Sequence, residues 1–171
     1  MCAHTEQLHR TGGYKIAQDL NAQSIEHVVQ MTKGDIALLA KQPVVPGFTP
    51  GADMYLKMKY PDARTLIDSG LPVAIATDFN PGSCPTQNLS LIGVLSRLEM
   101  NMSLPEVIVA YTINSARALG LHSRVGALLP GYRSDFTVLD DSWDRLFYEV
   151  GYHPDSLDFL EREKGFLKKS L

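Results

Sequence analysis

The chain has 171 residues, of which 44% are hydrophobic and 20% are charged, and its net charge is −3. This length is enough for one domain with a buried core, and the small acidic charge, without a lysine and arginine cluster, argues against a nucleic-acid partner. No apolar run approaches about 18 residues, so we expect no membrane partner, and two cysteines are too few for a disulfide framework, so we expect a cytoplasmic location.

The first half of the chain alternates strand and helix patterns. Only three residues precede His4, fewer than the roughly five of an ordinary strand, so we expect the chain to begin within an element. Patterns typical of a helix, a strand, a second helix and a strand that gives way to a loop follow, over residues 14–20, 21–29, 33–41 and 43–51.

The same alternation continues to about residue 120. A helix is predicted over 61–69, a fully buried strand over 71–76 and another helix over 88–100. The sequence SLPE, Ser103 to Glu106, is typical of a capping box and predicts a helix that ends at Gly120. Strands that alternate with helices predict an α/β fold with a parallel sheet.

The chain changes character near Gly126. Glycine-bounded turns surround FTVLD, a short strand pattern, and an aromatic-rich segment follows it. This tail is expected to form β structure outside the α/β layer, or a small accessory sheet.

Polar side chains stand where three of the predicted strands end. His4 follows the first strand, His27 the second and Asp78 the most apolar one. In parallel α/β folds the carboxyl ends of the strands carry the ligand-binding groups, and histidine with aspartate suits a divalent cation such as zinc or iron. Asp78 could bind the metal and take a proton from its water, while His27 acts as general acid or base or stabilises an oxyanion.

Structural explanations for these residues stay open at this point. A lone histidine is more often a surface or core residue than a ligand, and Asp78 could cap the turn that follows it. The loop Pro81-Gly82-Ser83 could bind an anionic substrate group through its backbone, or it could be a plain turn. Two ligands also fall short of the three protein ligands that a catalytic zinc normally keeps.

Four sequence blocks resemble one enzyme family. The stretch ATDFNPGSCPT, together with HTEQL, SIEHV and the run P-x-A-R-x-L-I-D-x-G-x-P-V-A from Pro61 to Ala74, resembles imidazolonepropionases of the metal-dependent amidohydrolase superfamily. The resemblance covers about residues 3–153. It implies hydrolysis of the ring C–N bond of 4-imidazolone-5-propanoate to N-formimidoyl-L-glutamate, a step of histidine degradation.

The resemblance also implies roles for individual residues. It implies that His4 and Asp78 bind one divalent metal ion, zinc or iron, and that His27 and Asp78 are catalytic. The positions that match substrate or product contacts in the family are Gln7, Asn80, Gly82 and Ser83.

The fold implied by the resemblance is the C-terminal half of a (β/α)₈ barrel, residues 1–122, followed by part of a small β-sandwich accessory domain, residues 123–171. The family has an H-x-H pair on its first barrel strand and further substrate-binding residues in its N-terminal half, and this sequence has neither. Ile25 and Glu26 stand where the family usually has alanine and aspartate. The chain is therefore expected to be a fragment with two open sheet edges, inactive alone and dependent on the missing half-barrel.

Other functions remain open on the sequence alone. A sister cyclic amidohydrolase or a deaminase is less favoured, because the NPGS that follows Asp78 is particular to the imidazolonepropionases. A non-catalytic remnant or subunit with weak metal or ligand binding is the alternative from another class. For the full-length enzyme, a small-molecule substrate and a homodimer are expected.

Overall fold

Four short parallel strands form the central sheet of the computed structural model, which describes residues 1–139, 141–152, 158–160 and 167–168. The strands lie in chain order and are β1 Cys2–Thr5, β2 Ser24–His27, β3 Val45–Phe48 and β4 Ala74–Ile75. The register pairs His4 with Glu26 across β1 and β2, and Gly47 with Ala74 across β3 and β4. The predicted α/β fold with a parallel sheet is therefore confirmed.

Helices connect the strands, and most of them pack on one face of the sheet. They are α1 Gly13–Asp19, α2 Lys33–Leu39, α3 Pro50–Tyr55, α4 Ala63–Asp68, α5 Leu89–Met100, α6 Leu104–Val109, α7 Ser115–Ala118 and α8 Arg145–Tyr148. A π-helical turn, Ala110–Asn114, joins α6 to α7. None of the helices among the described residues is both long and apolar enough to span a membrane.

The local signals in the sequence explain most of these boundaries. Ser103 and Glu106 form the predicted capping box at the start of α6, and Gly120, with a φ of 71°, follows the end of α7. Two predictions are corrected. The segment after β3, expected to be a loop, contains α3, because Pro50 occupies the first helical turn, where a proline is well tolerated. The strand predicted over 71–76 is shorter, β4 Ala74–Ile75, and the N–H of Ala76 beyond it still donates to the carbonyl of Phe48 at 2.9 Å.

The main core lies between the sheet and the helices. Ile25, Phe48 and Ile75 lie on the same face of neighbouring strands and are at most 4% exposed. They pack in one cluster with buried side chains of the surrounding helices, among them Tyr14, Ile36, Leu39, Leu66, Ile92 and Val107. The opposite face carries His4 and Glu26, and a smaller cluster of Val45, Ala74 and Ala118 covers part of it.

The two edges of the sheet differ, which corrects the expectation of two open edges. Along the outer edge of β4, the side-chain amide of Asn114 donates to the carbonyl of Val73 at 2.9 Å, and the hydroxyl of Ser115 lies 3.5 Å from the carbonyl of Ile75. Side chains of the π-helical turn and α7 therefore occupy this edge. The β1 edge, by contrast, pairs with no further strand among the described residues.

The tail contains a second, antiparallel sheet of three short strands, β5 Thr137–Val138, β6 Asp158–Leu160 and β7 Leu167–Lys168. The helix α8 lies between β5 and β6 in chain order and packs on α5. Its Phe147 contacts Gly93 so closely that a Cβ at position 93 would lie 2.3 Å from the phenyl ring. Residues 140, 153–157, 161–166 and 169–171 of the predicted second domain lie outside the described residues. The β-sandwich and the domain boundary at 122/123 stay predictions.

Candidate metal centre

Each of the four parallel strands delivers one polar side chain to the same end of the sheet. His4 lies near the end of β1, His27 ends β2, Thr49 follows β3 and Asp78 lies just beyond β4. One potential ligand atom from each of His4, His27 and Asp78 lies within 4.8 Å of the other two. The structure thus brings together the three residues that the strand-end argument selected.

The two histidines contact each other directly. His4 Nδ1 lies 2.6 Å from His27 Nε2, so one of the two nitrogens carries the proton that they share. On the far side of its ring, His27 Nδ1 lies 2.8 Å from the hydroxyl of Thr49. Because Thr49 is 2% exposed and His27 is 1% exposed, this hydrogen bond fixes the orientation of the His27 ring inside the protein.

The backbone is strained at two of the three residues. His27 has a φ of 76° and Asp78 a φ of 54°, and Val28 follows His27 at 52°. Histidine and aspartate enter this left-handed region more readily than most residues, but each still costs about 1–3 kcal/mol. In this conformation both side chains lie beside His4 at the points where their strands end.

The electrostatics favour an uncharged His27. Burial lowers its pKa, the nearby His4 lowers it further, and the charge of Asp78 opposes them. A metal ion binds only the unprotonated nitrogen of an imidazole, so a lowered pKa keeps His27 competent as a ligand or base near neutral pH.

The loop after Asp78 is organised by Asn80. The Asn80 amide donates to the carbonyl of Asp78 at 2.7 Å, and its carbonyl oxygen accepts from the backbone N–H groups of Gly82 and Ser83 at 2.9 and 2.8 Å. Asn80 and Cys84 also pair through their backbones. Asn80 therefore caps this turn, and the N–H groups of Gly82 and Ser83 already have partners within it.

Asp78 does not cap the turn with its own side chain. Among the described residues its carboxylate makes no hydrogen bond, because the turn uses the side chain of Asn80 instead. Gln7, the remaining predicted contact, is half-buried just after β1, and its backbone carbonyl accepts from the side chain of Gln30 at 3.2 Å.

Sequence reasoning missed two polar residues beside this cluster. Thr49 follows β3 directly, so the strand-end argument would have found it had it been applied to that strand. Asp53 on α3 is fully buried, and neither of its carboxylate oxygens has a hydrogen-bond partner in the part of the chain that the structure describes. Burial, followed by the charge of Asp78, raises its pKa to about 7. No sequence signal marked Asp53, because α3 was expected to be a loop.

The donor set fits a divalent cation of the borderline class. Two imidazole nitrogens and one carboxylate oxygen are three ligands of the kinds that zinc and iron accept. His27 was predicted as a catalytic group rather than a ligand, and its position beside His4 makes both roles available to it.

Solved structures share this fold. An adenosine deaminase from Xanthomonas campestris with bound zinc superposes with a TM-score of 0.74 at 21% identity, over 89% of this chain and 39% of that one. A triazine hydrolase variant gives a TM-score of 0.77 at 18% identity, over 92% of this chain and 42% of the other. These likenesses support a barrel-type fold, of which this chain has the part described above.

The similarity in sequence is higher for imidazolonepropionases. The imidazolonepropionase of Bdellovibrio bacteriovorus is 48% identical over 163 residues, which are 95% of this chain and 38% of the relative. The imidazolonepropionase of Alkaliphilus oremlandii is 39% identical over 151 residues, which are 88% of this chain and 35% of the relative. The chain thus spans a little over a third of the length of these curated relatives, and the expected resemblance is confirmed. Because the family model for amidohydrolases matches residues 2–164, the chain belongs to the amidohydrolase family.

Proposed function

We propose that this chain carries part of the active site of an imidazolonepropionase, which hydrolyses 4-imidazolone-5-propanoate to N-formimidoyl-L-glutamate. The observation that carries the proposal is the cluster of His4, His27 and Asp78, gathered from three strands in a chain 48% identical to an imidazolonepropionase. The proposed setting is the cytoplasm and the degradation of histidine.

One divalent cation, zinc or iron, would be held by His4 and Asp78, with His27 beside them. When bound, such an ion supplies Lewis acidity and lowers the pKa of a water molecule towards neutrality. Asp78 suits the site because its carboxylate makes no hydrogen bond among the described residues, which leaves one oxygen for the ion and one for a proton.

The chain's own residues would then handle the protons. Water adds to the carbonyl carbon of the ring, Asp78 takes the proton that this water loses, and the ring C–N bond breaks as its nitrogen is protonated. His27 is placed to stabilise the developing oxyanion or to pass the proton, because Thr49 fixes its ring and its Nε2 faces the site.

Substrate contacts are proposed for Gln7, Asn80, Gly82 and Ser83. The side chains of Asn80 and Ser83 already bond to each other at 2.8 Å, so this pair would contribute a rigid, preorganised turn rather than two free groups. The remaining ligands and substrate contacts are proposed to come from the part of the barrel that the relatives have and this chain does not span.

The test measures zinc and iron content together with hydrolysis. The chain is assayed with 4-imidazolone-5-propanoate alone and after mixing with the N-terminal part of the Bdellovibrio bacteriovorus relative. We expect metal binding by the chain, turnover only in the mixture, and loss of both with Asp78→Ala. Asp68→Ala, which removes an exposed carboxylate on α4, is the matched control and should change neither.

Two results would contradict the proposal. A folded chain that binds no metal and stays inactive in the mixture would indicate a non-catalytic remnant. Turnover that survives Asp78→Ala would show that the reaction does not use this cluster.

A further inference from the structure

The loop that follows β1, residues 6–11, is held at both of its ends. The buried Glu6 carboxylate accepts from the backbone N–H of Thr11 at 2.9 Å and from the Thr11 hydroxyl at 3.3 Å, which closes the loop. Next to Thr11, the guanidinium of Arg10 donates to Asp35. Gln7 lies between these two anchors.

Gln7 makes one hydrogen bond among the described residues, and it makes that bond through its backbone. Its carbonyl accepts from Nε2 of Gln30 at 3.2 Å, whereas none of the described residues bonds to its side-chain amide. A primary amide can both donate and accept hydrogen bonds. The uncommitted amide of Gln7 therefore suits a substrate ring that offers N–H and carbonyl groups, which is the contact proposed above for this residue.

The donor, Gln30, lies in the segment that follows His27. The backbone N–H of Gln30 donates to the carbonyl of Glu6 at 2.8 Å, so Gln30 is fixed beside the loop independently of its side chain. From there the half-buried side chain reaches the next residue of the loop, at the carbonyl of Gln7. A side-chain donor thus extends the contact between the two strand ends to the position of the proposed substrate contact.

The bond from Gln30 fixes Gln7 relative to His27. The two glutamines are joined directly, and His27 lies only three positions before Gln30. The ring of His27 is held separately by the hydroxyl of Thr49, 2.8 Å from Nδ1. Removing the Gln30 side chain should therefore leave the candidate metal centre in place and release only the backbone of Gln7.

We propose that Gln30 is a positioning residue for the substrate, which holds the backbone of Gln7 so that the Gln7 amide meets the substrate ring at a fixed distance from His27. The proposal rests on the proposed function, since it needs Gln7 to contact the substrate. Because a contact displaced by about 1 Å loses much of its effect, the bond to the Gln7 carbonyl governs substrate binding although Gln30 itself does not touch the substrate.

The test measures steady-state kinetics in the mixture of this chain with the N-terminal part of the Bdellovibrio bacteriovorus relative. Gln30→Met keeps the length of the side chain and removes its donor. We expect KM for 4-imidazolone-5-propanoate to rise about 5–10-fold, the effect of one lost hydrogen bond, while kcat and metal content change less than about twofold. Gln30→Lys keeps a donor and should reverse most of the rise. Gln42→Met, at an exposed position, is the matched control and should leave KM unchanged.

A double-mutant cycle distinguishes positioning from a merely structural role. Gln7→Met removes the substrate contact itself and should raise KM at least as much as Gln30→Met does. If Gln30 acts through Gln7, adding Gln30→Met to Gln7→Met should raise KM no further, whereas two independent effects would multiply. Urea unfolding of the same variants gives their stabilities, because a merely structural role would lower the stability of Gln30→Met without changing KM.

The outcomes separate this inference from the function on which it rests. A wild-type mixture without turnover overturns the proposed function and this role together. With turnover present, an unchanged KM in Gln30→Met or in Gln7→Met, or effects that multiply in the double variant, rejects the positioning role alone. If Gln30→Met does not fold, Gln30→Glu decides, because it keeps the shape of the side chain and replaces the donor with an acceptor: a raised KM supports the role and an unchanged KM rejects it.

Discussion

At the scale of single residues, Asp53 is the least expected feature of the molecule. It is a fully buried carboxyl group with no hydrogen-bond partner among the described residues, and its pKa is raised to about 7 by burial and by Asp78. An unfolded chain would ionise it near its ordinary pKa of about 4. Between these values the folded state binds more protons than the unfolded state, so Asp53 makes stability fall as the pH rises from about 4 to 7.

We therefore expect Asp53→Asn to flatten the pH dependence of stability in the metal-free chain. Each unit of pKa shift corresponds to about 1.4 kcal/mol, so the variant should regain on the order of 2–4 kcal/mol at pH 8 relative to pH 4. Urea unfolding at a series of pH values measures this slope. Asp68→Asn, at an exposed site, should keep the wild-type slope, and an unchanged slope in Asp53→Asn would contradict the raised pKa.

The sequence predicted part of the site and missed the rest for a physical reason. His4, His27 and Asp78 could be chosen because the carboxyl ends of parallel strands meet at one edge of a sheet. The left-handed backbone of His27 and Asp78, the hydrogen bond between His27 and Thr49 and the burial of Asp53 depend on contacts between segments distant in the chain. Local pattern does not encode such contacts.

At the scale of elements, the start of α2 is fixed to the loop after β1 by one carboxylate. Asp35 accepts from the Arg10 guanidinium at 2.7 and 2.8 Å, from the Tyr14 hydroxyl at 2.6 Å and from Thr32, with which it forms the capping box of α2. These donors, led by Arg10, hold the pKa of Asp35 far below its usual range. The contact joins α1, α2 and the segment that follows His4.

We expect Asp35→Ala to destabilise the chain by about 2–4 kcal/mol, because it removes a helix cap and several charge-assisted hydrogen bonds to a carboxylate that is 4% exposed. Arg10 is 55% exposed, so its own charge regains water and limits the loss. Since the folded pKa is lowered, this stabilisation is present above pH 4 and disappears as the pH falls further. Thermal unfolding at pH 7 and pH 3 measures it, and equal losses at the two pH values would contradict the argument.

The π-helical turn and α7 lie along the outer edge of β4. Asn114 and Ser115 reach the carbonyls of Val73 and Ile75, which would otherwise face outward for another strand to pair with. The helical pattern over 103–119 and its caps could be predicted from the sequence. The use of this helical segment to protect a sheet edge could not, because Val73 and Asn114 are 41 positions apart in the chain.

Removing that protection should promote association. We expect Asn114→Ala to lose about 1 kcal/mol of stability and to associate more strongly with rising concentration, because it leaves the carbonyl of Val73 without this donor. Sedimentation velocity over a range of concentrations measures the association. Thr112→Ala is the control, because it truncates an exposed polar side chain of the same π-helical turn that does not reach the sheet edge. Equal association of the two variants would reject the edge-protection role.

At the scale of the whole molecule, the two cysteines lie in different parts of the fold, one exposed and one buried. Cys2 lies exposed on β1, the edge strand whose outer side pairs with no described strand. Cys84 is 1% exposed at the end of the loop after Asp78, and burial raises its pKa. Its sulfur lies against α3, only 2.7 Å from where a Cβ at Gly51 would stand, so reaching it requires the loop to separate from α3 and α5.

We expect one fast thiol in the native chain, that of Cys2, because a thiol reacts as the exposed thiolate and Cys84 is neither exposed nor readily ionised. In Cys2→Ser the remaining thiol should react with Ellman's reagent only as fast as the structure opens, and urea should accelerate it in parallel with the loss of helical circular dichroism. Such agreement would show that the loop from Asp78 to Cys84 and the helices unfold together. The candidate metal centre would then be lost only when the whole fold is lost. Fast reaction of Cys84 in Cys2→Ser without urea would instead show that the loop carrying Asp78 opens independently of the sheet.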